Sequence, residues 1–246
     1  MWGVMTRVKI YLLIFLFLSS VCFAGQQQGV GAPASAGKAT ATYDTVNSGS
    51  ASSNTLTVAI DPGNGNSNRI VVIGVTWEDT GDAATISSLT YDGNACTHID
   101  TQTSNPTTYN ASALYYYLNP SEDSKNVIVT MNEAVSGINM GVISLYNIKQ
   151  QAPEATAKNT GSINAITNPI TTLTDGAMIV DVVQNHVSTE DQTPDLSTER
   201  WEQADDNRGN GSTYIDEIHG LVNMDWTTGN SPTWCIVAAA FEAADL

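Results

Sequence analysis

The sequence predicts an all-β protein, a two-sheet antiparallel sandwich of jelly-roll type. Short runs rich in Val, Ile, Thr and Tyr recur between turns made of Gly, Pro, Asn and Asp. No stretch repeats apolar residues at i, i+3, i+4 and i+7 for more than one turn, so helices are not expected. A chain of 246 residues holds these runs as one sandwich domain, and no internal repeat of fixed period is evident.

The chain opens on an export signal. Arg7 and Lys9 precede an apolar run over Ile10–Leu18, and Cys22-Phe23-Ala24 places small residues where a signal peptidase cuts before Gly25. That run is shorter than the roughly 20 residues a bilayer needs. Residues 1–24 are therefore expected to be a signal peptide, 25–38 a flexible leader (GQQQGVGAPASAG and Lys38) and 39–246 the single sandwich domain. The predicted location is extracellular or cell-surface, with the periplasm as the other exported compartment.

The strands follow in order. Thr55–Ile60 alternates polar and apolar residues and is closed by Asp61-Pro62-Gly63. Arg69–Trp77 is a dense β-branched run. Ile86–Tyr91 and Ala95–Ile99 flank Asp92-Gly93-Asn94, and Asp-Gly supplies the backbone angles of a tight hairpin. Further runs lie at Ala111–Leu118, Asn126–Met131, Gly141–Ile148, Ala177–Val183, Ser212–His219 and Trp234–Phe241.

Charge and cysteines bound the chemistry. Signal removal takes Arg7 and Lys9 away and leaves seven basic against 25 acidic residues, a formal charge of −18. So negative a chain is unsuited to nucleic acid and to anionic membranes, whose phosphates demand Lys and Arg clusters. Cys96 and Cys235 alone survive processing and form the one disulfide candidate.

The sequence holds no nucleophile elbow, zinc-protease helix motif, phosphate loop or Cys-x-x-Cys. His98, His186 and His219 stand without a supporting motif. Asp216 and Glu217 are adjacent, so on one strand they face opposite sides and do not form a glycosidase pair. No catalytic residue is assigned. Calcium is the one ion offered ligands, by the oxygen-rich loops Glu78-Asp79-Thr80-Gly81-Asp82 and Asp205-Asp206-Asn207. Trp201, Trp226 and Tyr116 are candidates for stacking on a sugar ring, while Trp77 and Trp234 read as core. The β-prone Ala39–Tyr43 is a candidate for donation to a neighbouring subunit's open sheet edge.

The order NRIVVIGVTWED, LTYDGNACTHI, ALYYYLNP, VIVTM, GVISLYNI, then DGAMIVDVV, TERW and WCIVAAAF resembles a widespread family of bacterial secreted jelly-roll (lectin-like) β-sandwich modules. It covers roughly Ala41–Ala243. Tyr91-Asp92-Gly93 departs from the family's Tyr-Gly-Gly-like hairpin, a change the turn tolerates. The resemblance implies a fold and a lectin-like look rather than a reaction. The expectation is a non-catalytic extracellular module of cell-surface structure or adhesion, in the extreme a self-assembling fibre subunit. A carbohydrate-binding module and, further off, a glycoside hydrolase are the alternatives; the partners expected are glycans or further copies of the chain.

Overall fold

A strand covered on one face alternates buried and exposed residues, whereas a strand covered on both faces is apolar throughout. This chain uses both kinds, and their arrangement sets its architecture. The computed structural model describes residues 37–79, 84–104, 109–186, 191–204, 208–229 and 233–246, so the expected signal peptide and most of the leader lie outside the described residues.

Among the described residues all regular elements are strands. The first half comprises β1 (Thr42–Ala51), β2 (Thr55–Ile60), β3 (Ile70–Asp79), β4 (Ile86–Tyr91), β5 (Asn94–Ala95), β6 (Thr97–Ser104), β7 (Tyr109–Leu118), β8 (Lys125–Met131) and β9 (Gly137–Tyr146). The second comprises β10 (Ala155–Gly161), β11 (Ala165–Ile166), β12 (Pro169–Thr171), β13 (Ala177–Asn185), β14 (Gln192–Pro194), β15 (Thr198–Ala204), β16 (Arg208–Asp216), β17 (Leu221–Asn223), β18 (Trp226–Thr228) and β19 (Trp234–Phe241). At the expected hairpin, Asp92 and Gly93 both take positive φ, 49° and 79°, as a type I′ turn requires.

The two halves repeat one winding. The first forms a five-stranded sheet, β1-β9-β3-β7-β6, and a four-stranded sheet, β2-β8-β4-β5. The second forms β10-β19-β13-β16-β15 in the same order, and small sheets β11-β18-β14 and β12-β17 stand where the four-stranded sheet would be. In the first half β1 with β9, β2 with β8, β3 with β7 and β4 with β5 form the folded-over hairpin of a jelly roll. Even an irregularity recurs: β6 bulges between His98 and Asp100, and β15 bulges at the matching place, between Glu199 and Trp201. The expected all-β antiparallel sandwich is what the chain forms, and within it the winding occurs twice. The two occurrences are hidden from a periodicity search because matching residues (Asn47 with Ala157, Leu145 with Phe241) are unevenly separated in sequence.

The two five-stranded sheets pack on each other. Val71, Ile73 and Val75 of β3 face the four-stranded sheet, meeting Val58, Leu89 and Val129. The alternate residues Ile70 and Val72 face the second five-stranded sheet, meeting Val180, Val182 and Phe241. The far side of that sheet is closed by Ile170 and Val222 and by Ile166 and Trp226. The result is a stack of four layers, and it explains why β3, β13 and β19 are buried at every residue while β2 alternates. Residues 36–246 form one compact unit.

Gly37 and Lys38, expected to close the leader, belong to the fold. The N–H of Leu246 donates to Gly37 O at 2.8 Å, Lys38 bridges to Asp245, and Ala39 N donates to Ala244 O at 2.8 Å. Lys38 and Lys149 both reach the Glu242 carboxylate, at 2.7 and 3.0 Å, which ties the segment before β1 to the segment after β19.

Candidate binding cleft and the fate of the predicted sites

The clearest candidate site opens where the edge strands β1 and β15 meet, at one side of the interface between the two five-stranded sheets. Both strands are irregular there. β1 shifts register between Tyr43 and Thr45, and β15 shifts around Arg200, the extra residue of its bulge. A bulge frees one residue from the ladder and re-aims its side chain. Arg200 uses that freedom to lay its guanidinium over the Tyr43 ring, 3.7 Å from the ring centre. Its Nε donates to Thr213 Oγ1 at 2.7 Å, which fixes the plane of the fork. Partial burial pulls the Arg200 pKa below its ordinary value, with the Tyr43 hydroxyl opposing that shift.

Around this fork lies a cavity of about 360 Å³, with Thr40, Thr42, Thr198, Met178 and Ile215 among its walls. A second cavity of about 370 Å³ shares Thr40 and Ile215 with the first and adds Lys38, Asp175 and Glu217. The two read as one groove with a cationic and an acidic end. In the other repeat the residue matching Arg200 is Ile99, packed as an ordinary apolar side chain, so the pseudo-equivalent edge lacks the cation.

The sequence-predicted sites fare otherwise. Trp201, Trp226 and Tyr116 are only 4%, 0% and 8% exposed, so none offers a ring face to a sugar. Trp201 lies between the five-stranded sheets, in a cradle of Gly74, Gly141 and Gly211. Trp226 sits beneath β13, where its Nε1 donates to Asp181 Oδ2 at 2.7 Å. Both border polar loops in sequence, but the layers of the stack cover them. Trp77 and Trp234 are core, as expected, and each satisfies its indole N–H on a backbone carbonyl, Ala84 O and Ile163 O.

The disulfide candidate is corrected as well, for Cys96 and Cys235 are both free. Cys235 is buried on β19 with its Sγ 3.3 Å from Ser112 Oγ. Cys96 packs at the margin of the other core cluster, against the four-stranded sheet. Burial pushes both thiols up to about 12. A thiol held protonated is a poor nucleophile. Native protein lacking residues 1–24 is accordingly expected to leave Cys235 unlabelled by iodoacetamide at pH 8, while the same protein unfolded takes two labels, counted by intact mass; rapid native labelling of Cys235 would contradict the burial.

Of the calcium candidates, Asp82, Asp205, Asp206 and Asn207 lie outside the described residues. Glu78 and Asp79 are buried at the end of β3 and already engaged: Glu78 Oε1 is 3.1 Å from His186 Nδ1, and Asp79 Oδ2 accepts the Ala84 N–H at 3.2 Å. Among the described residues no three His, Cys, Asp or Glu side chains converge as a metal site would require. Asp216 is buried and accepts the Thr172 hydroxyl, while Glu217 is exposed, so the adjacent acids do part to opposite sides. The histidines stand in three places: His98 against Tyr115 and Thr101, His186 on Glu78, and His219 on Asp175 at 2.7 Å.

Ala39–Tyr43, the segment a donated strand would use, is taken up within its own chain. Ala39 pairs with Ala244, and Tyr43 pairs with Leu145 of β9. Arg200 and Tyr43 are site residues to which the sequence alone assigns no binding role. Arg200 stands in the landmark TERW and Tyr43 at the end of Ala39–Tyr43, but a bulge is a misfit between two strands, so their meeting becomes visible only when both strands are paired. No family model, curated protein or solved structure matches the chain.

Proposed function

We propose that this chain is a non-catalytic binding module of the extracellular, cell-surface or adhesive kind, and that it engages its ligand in the groove between β1 and β15. The observation that carries this reading is the state of Arg200. It is a fixed, half-buried cation facing a cavity, with no carboxylate beside it among the described residues. The buried acids Asp181 and Asp216 are engaged in structural contacts, with Trp226 and Thr172. The predicted export signal and the negative charge support an extracellular setting, and the resemblance to secreted jelly-roll modules points the same way. With the three aromatic candidates buried, a lectin-like role rests on the groove rather than on ring stacking.

Binding of the mature protein to a glycan array and to intact cells tests the reading. The expected result is saturable binding that Thr198→Trp abolishes, because the larger side chain fills the mouth of the groove from an exposed position. Absence of binding on every surface, or release of sugar from a polysaccharide panel, overturns it.

A further inference from the structure

Seven basic residues lie in the described part of the chain, and six of them face a carboxylate. Lys38 and Lys149 meet Glu242, Arg69 meets Glu122, Lys125 meets Asp92, Lys158 meets Asp100, and Arg208 meets Asp191 and Glu202. Arg200 is the seventh and has none. In a chain with 25 acidic residues against nine basic ones, acidic partners are abundant. A half-buried cation loses hydration, and a carboxylate is the group that best restores it. The two terminal nitrogens of the Arg200 fork have no protein partner among the described residues, while Nε is anchored on Thr213 and the ring of Tyr43 supports one face. A planar fork held at one edge, on a residue that lines a cavity, is arranged for bidentate recognition of a carboxylate.

We propose that the groove binds an acidic sugar through a bidentate contact between its carboxylate and Arg200. This rests on the binding-module reading above and names the ligand class for that same site. Three features favour a sugar acid over other carboxylates. The cavity falls in the size range of small-molecule sites. Thr40, Thr42 and Thr198 line it, and a threonine hydroxyl both donates and accepts, as the hydroxyls of a sugar ring do; that of Thr42 already donates to Thr40 O at 2.8 Å and is left as an acceptor. A peptide C-terminus, by contrast, is captured by a nest of backbone N–H groups, whereas the cation here is a side chain, Arg200. The adjoining cavity carries Asp175 and Glu217 beside Lys38; hydrogen bonds from His219 hold Asp175 below its usual carboxylate range and Lys38 is committed to Glu242 at 2.7 Å, so the carboxylates outweigh the cation at that end. A second carboxylate there is repelled. The groove therefore selects one acidic unit next to a neutral one and rejects a continuous polyanion.

Isothermal titration with the mature protein decides the matter, using glucuronic acid linked to a neutral sugar, the corresponding all-neutral disaccharide, polygalacturonate and a short peptide with a free C-terminus. The acidic disaccharide is expected to bind, and Arg200→Met, which keeps the length and loses the charge, to weaken it roughly 10- to 100-fold. Arg200→Lys is expected to lose affinity as well, since an ammonium cannot form the fork. Thermal unfolding of both variants should stay within a few degrees of the parent, because Arg200 is a rim residue of the interface.

Equal binding of the neutral disaccharide, preferred binding of the polyanion or the peptide, or an Arg200→Met variant with parental affinity overturns the proposal. If neutral glycans bind and Thr198→Trp abolishes that binding while Arg200→Met does not, the carboxylate assignment falls and the binding-module reading stands. If no ligand binds at all, both fall.

Discussion

Replacing Trp201 with alanine is expected to destabilise the fold by about 3–5 kcal/mol, the usual cost of deleting a large aromatic side chain from a close-packed core. The indole lies between the two five-stranded sheets, 4% exposed. It is accommodated there because β3, β9 and β16 each place a glycine beneath it, Gly74, Gly141 and Gly211. A Cβ at Gly141 or Gly211 would overlap the ring atoms, so Gly141→Ala drives the ring out of its seat or the sheets apart. That overpacking is expected to cost about 1–3 kcal/mol or more. The cavity left by Trp201→Ala has these glycine backbones as part of its wall, and backbone relaxes little. Urea unfolding followed by far-UV circular dichroism measures both. A cost below 1 kcal/mol for Trp201→Ala would mean that the ring is not held between the sheets. The double variant Trp201→Ala/Gly141→Ala should cost less than the sum of the two, because the added methyl enters the vacated space.

Asp181 produces the second large effect, read through pH. Its carboxylate lies under β13, 1% exposed, where desolvation raises its pKa to about 6 despite hydrogen bonds from Trp226 Nε1 and from the Ser212 N–H and hydroxyl. The unfolded chain releases the same proton near 3.8. Between these values the folded state holds more protons than the unfolded state, so stability falls as pH rises. The contribution is complete below about pH 4 and lost above about pH 6, and the shift corresponds to about 3 kcal/mol. Glu242 works in the opposite direction. Lys38 and Lys149 hold its pKa down, so its contribution is present above its unfolded pKa and disappears as the solution becomes more acid.

The Asp181 effect is therefore the difference between parent and Asp181→Asn in unfolding free energy measured from pH 3.5 to pH 7.5. The parent should lose stability relative to the variant across pH 4–6 and run parallel to it above. An unchanged difference across that window would show that Asp181 does not take up a proton on folding. The variant also trades an acceptor facing Trp226 for an amide, so its absolute stability at neutral pH carries the cost of that lost bond, about 1 kcal/mol.

Much of the fold was legible strand by strand. Thr55–Ile60, Ile86–Tyr91 and Trp234–Phe241 are strands with the predicted limits, and the Asp92-Gly93 turn has the predicted geometry. The strands that escaped notice, such as β10 (ATAKNTG) and β15 (TERWEQA), are polar edge strands, and β11, β12, β14, β17 and β18 have two or three residues each. Their pairing comes from the neighbours that recruit them and not from a hydrophobic pattern of their own. One cue to the architecture was present and easy to pass over. IVVIGVTW and AMIVDVV are apolar without alternation, which a sandwich with one wet face per sheet does not ask for. Those runs mark strands covered on both sides, and hence more than two layers.

The sequence by itself determined the fold class, most of the long strands, the tight hairpin and the central place of Trp77 and Trp234, because these rest on local backbone preference and on runs of apolar side chains. Tertiary structure alone decided the repeat of the winding, the burial of Trp201, Trp226 and Tyr116, the separation of Cys96 from Cys235, and the meeting of Arg200 with Tyr43. Each of those depends on which surfaces face each other once the sheets are stacked. A residue's neighbours along the chain do not report whether another layer will cover it, nor which strand will stand opposite a bulge.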